Sequence, residues 1–330
     1  MRRLLAVCIS LILTISFVAC SVSEPDVETS VTPPSTSVQV PTSSPATTQP
    51  PDPTKPPEPT PSEPYLVYSP YIVKPTVREY LGDDYELYCK LVDSVIHYDG
   101  YLGGFTSEEQ FFNLWRIMKE EYPPAQMVCA NYLTSDEPYT YKDGACQIAF
   151  QFDQSEHDQV VKAFSDRITA DLSCVNKGDT EVEIVAKLYM YVSTAMNYAY
   201  GSGFLYESIM SNLGICGTYA EYLMLLLNQA GIECYFAAGS GADIDHAWVI
   251  AKMNGKFYHL DPTWENASRN WSWFAIGDEL RHMSLDPSSL GTLQLYGDWD
   301  YAANDWLPPQ PCPESFCQDT RSEGIPPWLW

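Results

Sequence analysis

The dipeptide Asn254-Gly255 places the tightest constraint on how this chain can fold. It stands between two β-prone runs, residues 245–253 and 256–264, and Asn-Gly in that setting is the strongest short hairpin signal, a two-residue type I′ turn. Such a turn also fixes the register of the two strands. With Met253 opposite Lys256, each residue of the first strand faces the one equally distant beyond the turn.

This register brings a histidine and an aspartate together. Counting outward from the turn predicts Trp248 opposite Asp261 and His246 opposite Thr263. His246 and Trp248 share a face because side chains alternate along a strand, so His246 and Asp261 become diagonal neighbours within side-chain reach. An aspartate so placed can hold one ring nitrogen and leave the other to accept a proton.

A cysteine that could use this base precedes the hairpin. Cys216 lies between Gly214 and Gly217, and good helix formers then run from Thr218 to the predicted helix end at Gly231. Cys216 is therefore expected at the start of a buried helix. Free N–H groups at a helix start favour a negative charge, and the thiolate is the reactive form of cysteine.

Three segments at these positions resemble, in order, the motifs of the transglutaminase-like superfamily. They read Gly-Ile-Cys-Gly-Thr-Tyr-Ala-Glu-Tyr, Asp-His-Ala-Trp-Val and Leu-Asp-Pro-Thr-Trp, within a core of about residues 180–282. The resemblance implies a Cys216, His246 and Asp261 triad and thioester chemistry on amide substrates. It also implies an α+β, papain-like core in which the cysteine helix packs on an antiparallel sheet. We expect no cofactor, and the sequence identifies no metal ligand.

The group that stabilises the oxyanion is less defined. Many members of the superfamily place a tryptophan upstream of the cysteine, but no tryptophan lies between Trp115 and Trp248 in this chain. Tyr198, Tyr200 or Tyr206 could take its place. Trp248, predicted to line the site, is a further candidate for the cleft.

Structural interpretations of the same residues stand beside this hypothesis. Cys216 could be a buried thiol or half of a disulfide with Cys234. A zinc site could combine these two cysteines with His246 and His259, although no metal-ligand spacing supports it. His259 is otherwise expected to be structural, and Trp264 is expected in the wall of the site.

The first 64 residues predict export and a tether. Met1-Arg2-Arg3 and the apolar run that follows predict a signal peptide over residues 1–19. The segment around Cys20 resembles a bacterial lipobox, whose cysteine receives lipid; ordinary cleavage and secretion is the alternative. Residues 20–64 are rich in Pro, Ser and Thr without aromatic residues, which predicts an extended, disordered tether.

Beyond the tether we predict an N-terminal α/β region (65–178), the catalytic core (179–306) and a Pro-rich tail (307–330). Hydrophobic periodicity and capping signals predict the following elements: helices over 84–98, from 107 to 122, over 154–172 and over 180–196, and strands over 127–133 and 146–152. Residues 197–214 are expected to form a loop at the lip of the cleft. Residues 271–278 resemble the segment that closes such cores, with His282 as a structural histidine.

The cysteine content limits the disulfides that can form. Of ten cysteines, Cys8 leaves with the signal peptide and Cys20 would carry lipid. With Cys216 reduced, seven remain, so at least one further thiol should be unpaired. Short-range pairs at 129/146 and 312/317 are the predicted bridges.

These features predict a monomeric cysteine enzyme on the outer face of a bacterial membrane, anchored through Cys20. Its expected substrate is a protein or peptide, with the cell wall as one setting, and peptidase or amidase activity is favoured over transamidation. The net charge of −25 excludes nucleic acid as partner, because phosphate binding needs the opposite sign. The competing hypothesis is a non-catalytic surface binding module that retains the fold.

Overall fold

The computed structural model describes residues 64–129, 138–199, 204–240 and 245–278, and also residues 312, 315 and 316; residues 238–240 and 245 are described by their backbone alone. The chain divides into two compact units, Met1–Thr60 and Pro61–Trp330, and all described residues belong to the second. No helix among them has the length and apolar character that crossing a membrane requires. Several predictions lie outside the described residues and stay predictions: the signal peptide, lipidated Cys20, most of the tether and tail, Tyr200, His282 and Cys317.

The described part combines helices with short, mostly antiparallel strands, which confirms the predicted α+β class. Its helices are α1 (Pro75–Leu81), α2 (Tyr85–Ile96), α3 (Glu108–Glu121), α4 (Pro124–Val128), α5 (Gln154–Asp171), α6 (Glu181–Ala195), α7 (Leu205–Ser211), α8 (Cys216–Gln229) and α9 (Pro262–Ser268). Its strands are β1 (Tyr101–Gly103), β2 (Tyr139–Lys142), β3 (Ala145–Ile148), β4 (Asn197–Tyr198), β5 (Leu213–Gly214), β6 (Cys234–Ser240), β7 (Asp245–Met253) and β8 (Lys256–Leu260). They form three sheets with the orders β1-β3-β2, β4-β5 and β6-β7-β8.

The β7-β8 hairpin has the predicted turn and register. Asn254 and Gly255 have φ angles of 52° and 79°, as a type I′ turn requires, and Met253 pairs with Lys256. The expected pairings of residues 248 with 261 and 246 with 263 were wrong, because the strand ends at Leu260. There Asp261 caps α9 and Pro262 has no N–H to extend the ladder.

Helix α8 begins at Cys216, as predicted, and is buried on most of its surface. Gly214 is needed just before it, because a Cβ there would lie 2.1 Å from Oγ1 of Thr218. Along the helix, Leu223 and Leu227 are fully buried, and each contributes about 1.5–3 kcal/mol relative to an exposed side chain. The helix packs against β6 and β7 and so holds Cys216 beside the sheet.

Two large hydrophobic clusters and a small third one form the core of the described residues. The smaller of the two large clusters contains buried residues from 73 to 148, mostly on α1 to α4 and the first sheet. The larger contains Tyr68 together with residues from 164 to 275, including the inner faces of α6 and α8. Helix α5 contributes Phe164 and Ile168 to the larger cluster, although it precedes the predicted boundary at 178. The sheet that carries His246 therefore rests on a core that begins before that boundary.

Three local predictions were wrong. Residues 127 and 128 of the predicted strand 127–133 lie at the end of α4, since Pro123-Pro124 starts a helix. Cys129 forms a β-bridge to Phe150, and residues 130–133 lie outside the described residues. The segment 197–214 contains β4, α7 and β5 rather than a plain loop. The predicted bridge between Cys129 and Cys146 is absent: both are free thiols, and burial raises their pKa values to about 12 and about 11.

Candidate active site

A short hydrogen bond joins His246 and Asp261. Nε2 of His246, on β7, lies 2.7 Å from Oδ2 of Asp261, which directly follows β8. Both residues are buried, with 5% and 0% of their surface exposed. Because a carboxylate only accepts, we assign the proton of the neutral ring to Nε2, which leaves Nδ1 as the acceptor.

Asp261 has a second role in the backbone. Its Oδ1 accepts the backbone N–H of Trp264 at 3.0 Å and so caps α9. One carboxylate thereby fixes the histidine ring and the first turn of the following helix. Asp-Pro is a recognisable helix start in sequence, with an N-cap and Pro at the first position, and this signal could have predicted α9.

The thiol of Cys216 lies at the first residue of α8 and reaches His246. Burial raises the pKa of this half-buried thiol. The hydrogen bond and charge of His246, together with the backbone N–H groups of Ala247 and Gly217, lower the pKa by more, so the net shift is downward. Because Asp261 occupies Nε2, we assign the contact with the thiol to Nδ1. The structure thus brings together the three predicted residues in the order thiol, imidazole, carboxylate.

Two indole rings lie nearly parallel to the imidazole of His246. The ring of Trp264 stacks on it with centroids 4.5 Å apart and an interplanar angle of 11°. Trp248 lies at 6.0 Å and 20°. The ring of Trp273 contacts that of Trp264 edge-on, with centroids 4.6 Å apart. The expectation that both indoles line the site describes their placement well.

The oxyanion and cleft candidates have different environments. Tyr198, on β4, is 51% exposed, and its strand pairs with β5 directly before the cysteine helix. Tyr206 instead packs in the core, where its ring stacks on Phe164 at 5.6 Å. Trp248 is fully buried and donates its indole N–H to His259 at 2.9 Å, so this N–H is engaged inside the sheet.

A buried glutamate supports the wall of the site and was missed in the sequence. Glu265, on α9, accepts the backbone N–H groups of Asn270, Trp271 and Trp273 at 2.7, 2.6 and 3.1 Å. It also accepts the hydroxyl of Tyr189 at 3.1 Å. These bonds hold the loop after α9 and so place Trp273 against Trp264.

A second cysteine, histidine and carboxylate group lies on the same face of this sheet, beyond Trp248. In the described part of the chain, His259, Asp278 and Cys312 are the one such set whose ligand atoms lie within 4.8 Å of one another. Nε2 of His259 lies 2.9 Å from Oδ1 of Asp278, while Nδ1 receives the N–H of Trp248. An indole only donates, so Nδ1 carries no proton and Nε2 does. Neither ring nitrogen then offers a lone pair to a metal, and the residues do not fit zinc.

The zinc and disulfide alternatives for Cys216 find no support in the described residues. Cys216 is a free thiol. The thiol of Cys234 points instead at the side-chain oxygen of Asn228, 3.5 Å away. His259 is engaged on both nitrogens, as a structural histidine would be.

Comparison with known proteins finds one matching family model. Residues 167–262 match the family model described as the transglutaminase-like superfamily. The chain therefore carries a transglutaminase-like domain. The match spans α6, α8, the β6-β7-β8 sheet and all three residues of the site. No curated protein matches the chain significantly.

Two solved structures show limited similarity. One is a proposed cysteine protease from Cytophaga hutchinsonii, with 17% identity, a TM-score of 0.27 and coverage of 30% of this chain and 37% of that one. The other is a proposed protease from Parabacteroides distasonis, with 14% identity, a TM-score of 0.26 and coverage of 38% and 30%. The chain thus spans about a third of each relative's length. Both scores are low, and neither likeness bears on the activity of this chain.

Proposed function

We propose that this protein is a cysteine enzyme that attacks amide carbonyls of proteins or peptides. The observation that carries the proposal is the arrangement around His246, with Asp261 on Nε2 at 2.7 Å and the thiol of Cys216, whose pKa is lowered on balance, on the other nitrogen. A nucleophile, a base and a group that orients the base are the minimum for nucleophilic catalysis. The transglutaminase-like domain match supports the same chemistry.

In the proposed reaction, the Cys216 thiolate attacks the carbonyl carbon while protonated His246 remains paired with Asp261. The backbone N–H of Cys216, in the first turn of α8, is the proposed oxyanion donor, since first-turn N–H groups have no acceptor within the helix. The oxyanion then collapses, His246 gives its proton to the departing amine, and a thioester forms. Water, deprotonated by His246, attacks the thioester and releases a carboxylic acid and the thiol.

Hydrolysis and transamidation share every step up to the thioester. They differ only in the acceptor, which is water or an amine. We favour hydrolysis because it needs no second binding site, and the sequence suggests no dedicated amine-binding tunnel.

The full chain and a Cys216→Ala variant, incubated with unfolded casein and dansylcadaverine, test this proposal. We expect new peptide termini by mass spectrometry with the wild type alone. Incorporation of dansylcadaverine in place of cleavage would turn the proposal from hydrolysis to transamidation. Neither product, together with iodoacetamide labelling of Cys216 no faster than of Cys89, would favour the binding module. Cys89 is a suitable reference because burial raises the pKa of its partly exposed thiol.

We also propose that the enzyme is a monomeric lipoprotein on the outer face of the membrane, acting on proteins or peptides of the cell envelope. The support is the basic start, the apolar run and the lipobox-like segment before Cys20. Wild-type protein should partition with membranes, and a Cys20→Ala variant should appear in the medium or as unprocessed precursor. Wild-type protein found wholly in the medium would contradict the anchor.

A further inference from the structure

The face of the proposed base is covered by an aromatic ring. The indole of Trp264 lies 4.5 Å from the imidazole of His246, centroid to centroid, at an angle of 11°. A cation within about 6 Å of an aromatic centroid is attracted by the electron-rich face, and tryptophan is the strongest such partner. A protonated imidazole at this position meets that condition.

The contact is fixed by the residue that also orients the base. Asp261 accepts Nε2 of His246 with one oxygen and the backbone N–H of Trp264 with the other. The indole also contacts the ring of Trp273, whose loop is held by Glu265. Asp261 therefore holds both the imidazole of His246 and the backbone of Trp264, and Trp273 holds the indole ring. Together these contacts fix the distance between the two rings.

A plain hydrophobic wall would have the opposite electrostatic effect. Burial in an apolar site disfavours the charged form of histidine and lowers its affinity for a proton. Stacking on an electron-rich face favours the charged form. The two roles of Trp264 thus predict opposite signs for the change in proton affinity when the indole is removed.

We propose that Trp264 is a positioning residue that stabilises protonated His246 by stacking, and thereby favours the thiolate–imidazolium pair with Cys216. The consequence for catalysis rests on the proposed function, but the stacking itself does not. In the reaction, the indole would act while His246 holds the proton, between attack by the thiolate and departure of the amine.

Two titratable groups of the described residues contact His246 directly. They are Asp261, at the end of β8, and Cys216, on α8. His259 and Asp278 lie beyond Trp248 and are paired with each other. The carboxylate of Glu265, on α9, is taken up by Tyr189 and the loop amides.

The test is an NMR titration of the His246 ring in full-length protein. A Cys216→Ser background removes the thiolate and leaves a single coupled group, Asp261. Trp264→Leu should lower the proton affinity of His246 about tenfold, which moves the midpoint about one pH unit downward. Trp264→Phe should lie between Leu and Trp, because phenylalanine stacks but attracts a cation less. Trp271→Leu is the matched control, since that indole packs on Phe274 instead, and its midpoint should not move.

A raised or unchanged midpoint in Trp264→Leu would overturn the proposal, because a water-excluding wall predicts a rise. If Trp264→Leu does not fold, Trp264→Phe decides the question: a lowered midpoint supports the proposal, and a raised or unchanged midpoint overturns it. If Trp264→Leu lowers the midpoint but the wild-type protein cleaves no amide, the stacking is upheld and the proposed function is rejected. If the wild-type protein cleaves amides but Trp264→Leu raises the midpoint, the proposed function is upheld and the stacking is rejected.

Discussion

Two histidines on neighbouring strands of one sheet have the same kinds of partner and different chemistry. His246 lies between a cysteine and Asp261, and His259 lies near Cys312 and Asp278. In each case Nε2 meets a carboxylate, at 2.7 and 2.9 Å. Residue types and distances to the carboxylate therefore do not distinguish a proposed base from a structural histidine.

The other ring nitrogen makes the difference. Nδ1 of His246 faces a thiol, which can give up a proton, whereas Nδ1 of His259 accepts the N–H of Trp248. The indole N–H cannot be removed at any ordinary pH, so His259 has no proton to take. Because Trp248 keeps its proton, His259 cannot act as a base there and instead links Trp248 to Asp278 by hydrogen bonds.

The two sulfur atoms also differ in their backbone surroundings. Cys216 begins α8, where N–H groups and His246 outweigh the effect of burial and lower its pKa. Cys312 is fully buried, and burial and the charge of Asp278 raise its pKa well above the ordinary range. Thiolate formation is thus favoured at Cys216 and opposed at Cys312.

The largest expected effect separates the two cysteines. Cys216→Ala should lower amide turnover by a factor on the order of 10⁴ or more, since the nucleophile is lost. Cys312→Ala should retain turnover within about threefold, at a cost of about 1 kcal/mol in the free energy of unfolding. Peptide cleavage and urea denaturation measure the two quantities. An equal loss of turnover in both variants would contradict the proposal that Cys216, and not Cys312, is the nucleophile.

Labelling with iodoacetamide adds the pH dependence to this comparison. Because the pKa of Cys216 is lowered, its reaction should persist as the pH falls below the point where Cys89, whose pKa is raised, stops reacting. Cys312 should react only after unfolding. His246→Ala should slow the labelling of Cys216 near neutral pH, and an unchanged rate would contradict the contact between them.

The next largest effect separates the two carboxylates. Asp261→Asn offers a single oxygen, which the N–H of Trp264 claims, so the amide group faces Nε2 and moves the ring proton to Nδ1. Turnover should fall about 10²- to 10³-fold, somewhat less than in a serine triad, because a thiolate depends less on its base. The free energy of unfolding should fall by about 1–2 kcal/mol.

Asp278→Asn is the matched control for this loss. Trp248 still holds Nδ1 of His259, while the single amide oxygen can accept either Nε2–H of His259 or the backbone N–H of Cys312. Since neither group touches His246 or Cys216, turnover should change less than about threefold. If Asp261→Asn unfolds or keeps full activity, Asp261 is a structural residue and the role of His259 must be reconsidered.

A smaller effect concerns stability alone. His259→Ala removes the acceptor of the buried indole N–H of Trp248 and the donor to Asp278. We expect the free energy of unfolding to fall by about 2–4 kcal/mol in urea denaturation. His97→Ala, at an exposed position after α2, should change it by no more than about 0.5 kcal/mol. Equal values would show that His259 does not cross-link the sheet.

Much of this contrast could be predicted from the sequence, and the reason is local. The Asn254-Gly255 turn determines the hairpin register by itself, and glycines around Cys216 mark a helix start. The structural role of His259 was predicted, but its partners could not be, because Asp278 and residue 312 come near it through tertiary contacts with no fixed spacing. Helix α9 was missed because β-propensity beyond Leu260 was allowed to outweigh the Asp-Pro cap.

The smallest expected effect is the response of the second site to zinc. In a Cys216→Ser background, which keeps metal from the first site, Zn²⁺ should leave the thermal midpoint unchanged within about 1 °C. Binding at Nε2 of His259 would require either an imidazolate or loss of the Trp248 hydrogen bond, and the raised pKa of Cys312 opposes the thiolate that zinc prefers. Trp248→Phe in the same background sharpens the test. Without the indole N–H, the proton can move to Nδ1, Nε2 becomes a ligand beside Asp278 and Cys312, and Zn²⁺ should raise the midpoint. Stabilisation by Zn²⁺ with Trp248 intact would contradict the tautomer assigned to His259, and with it the physical difference between the two histidines.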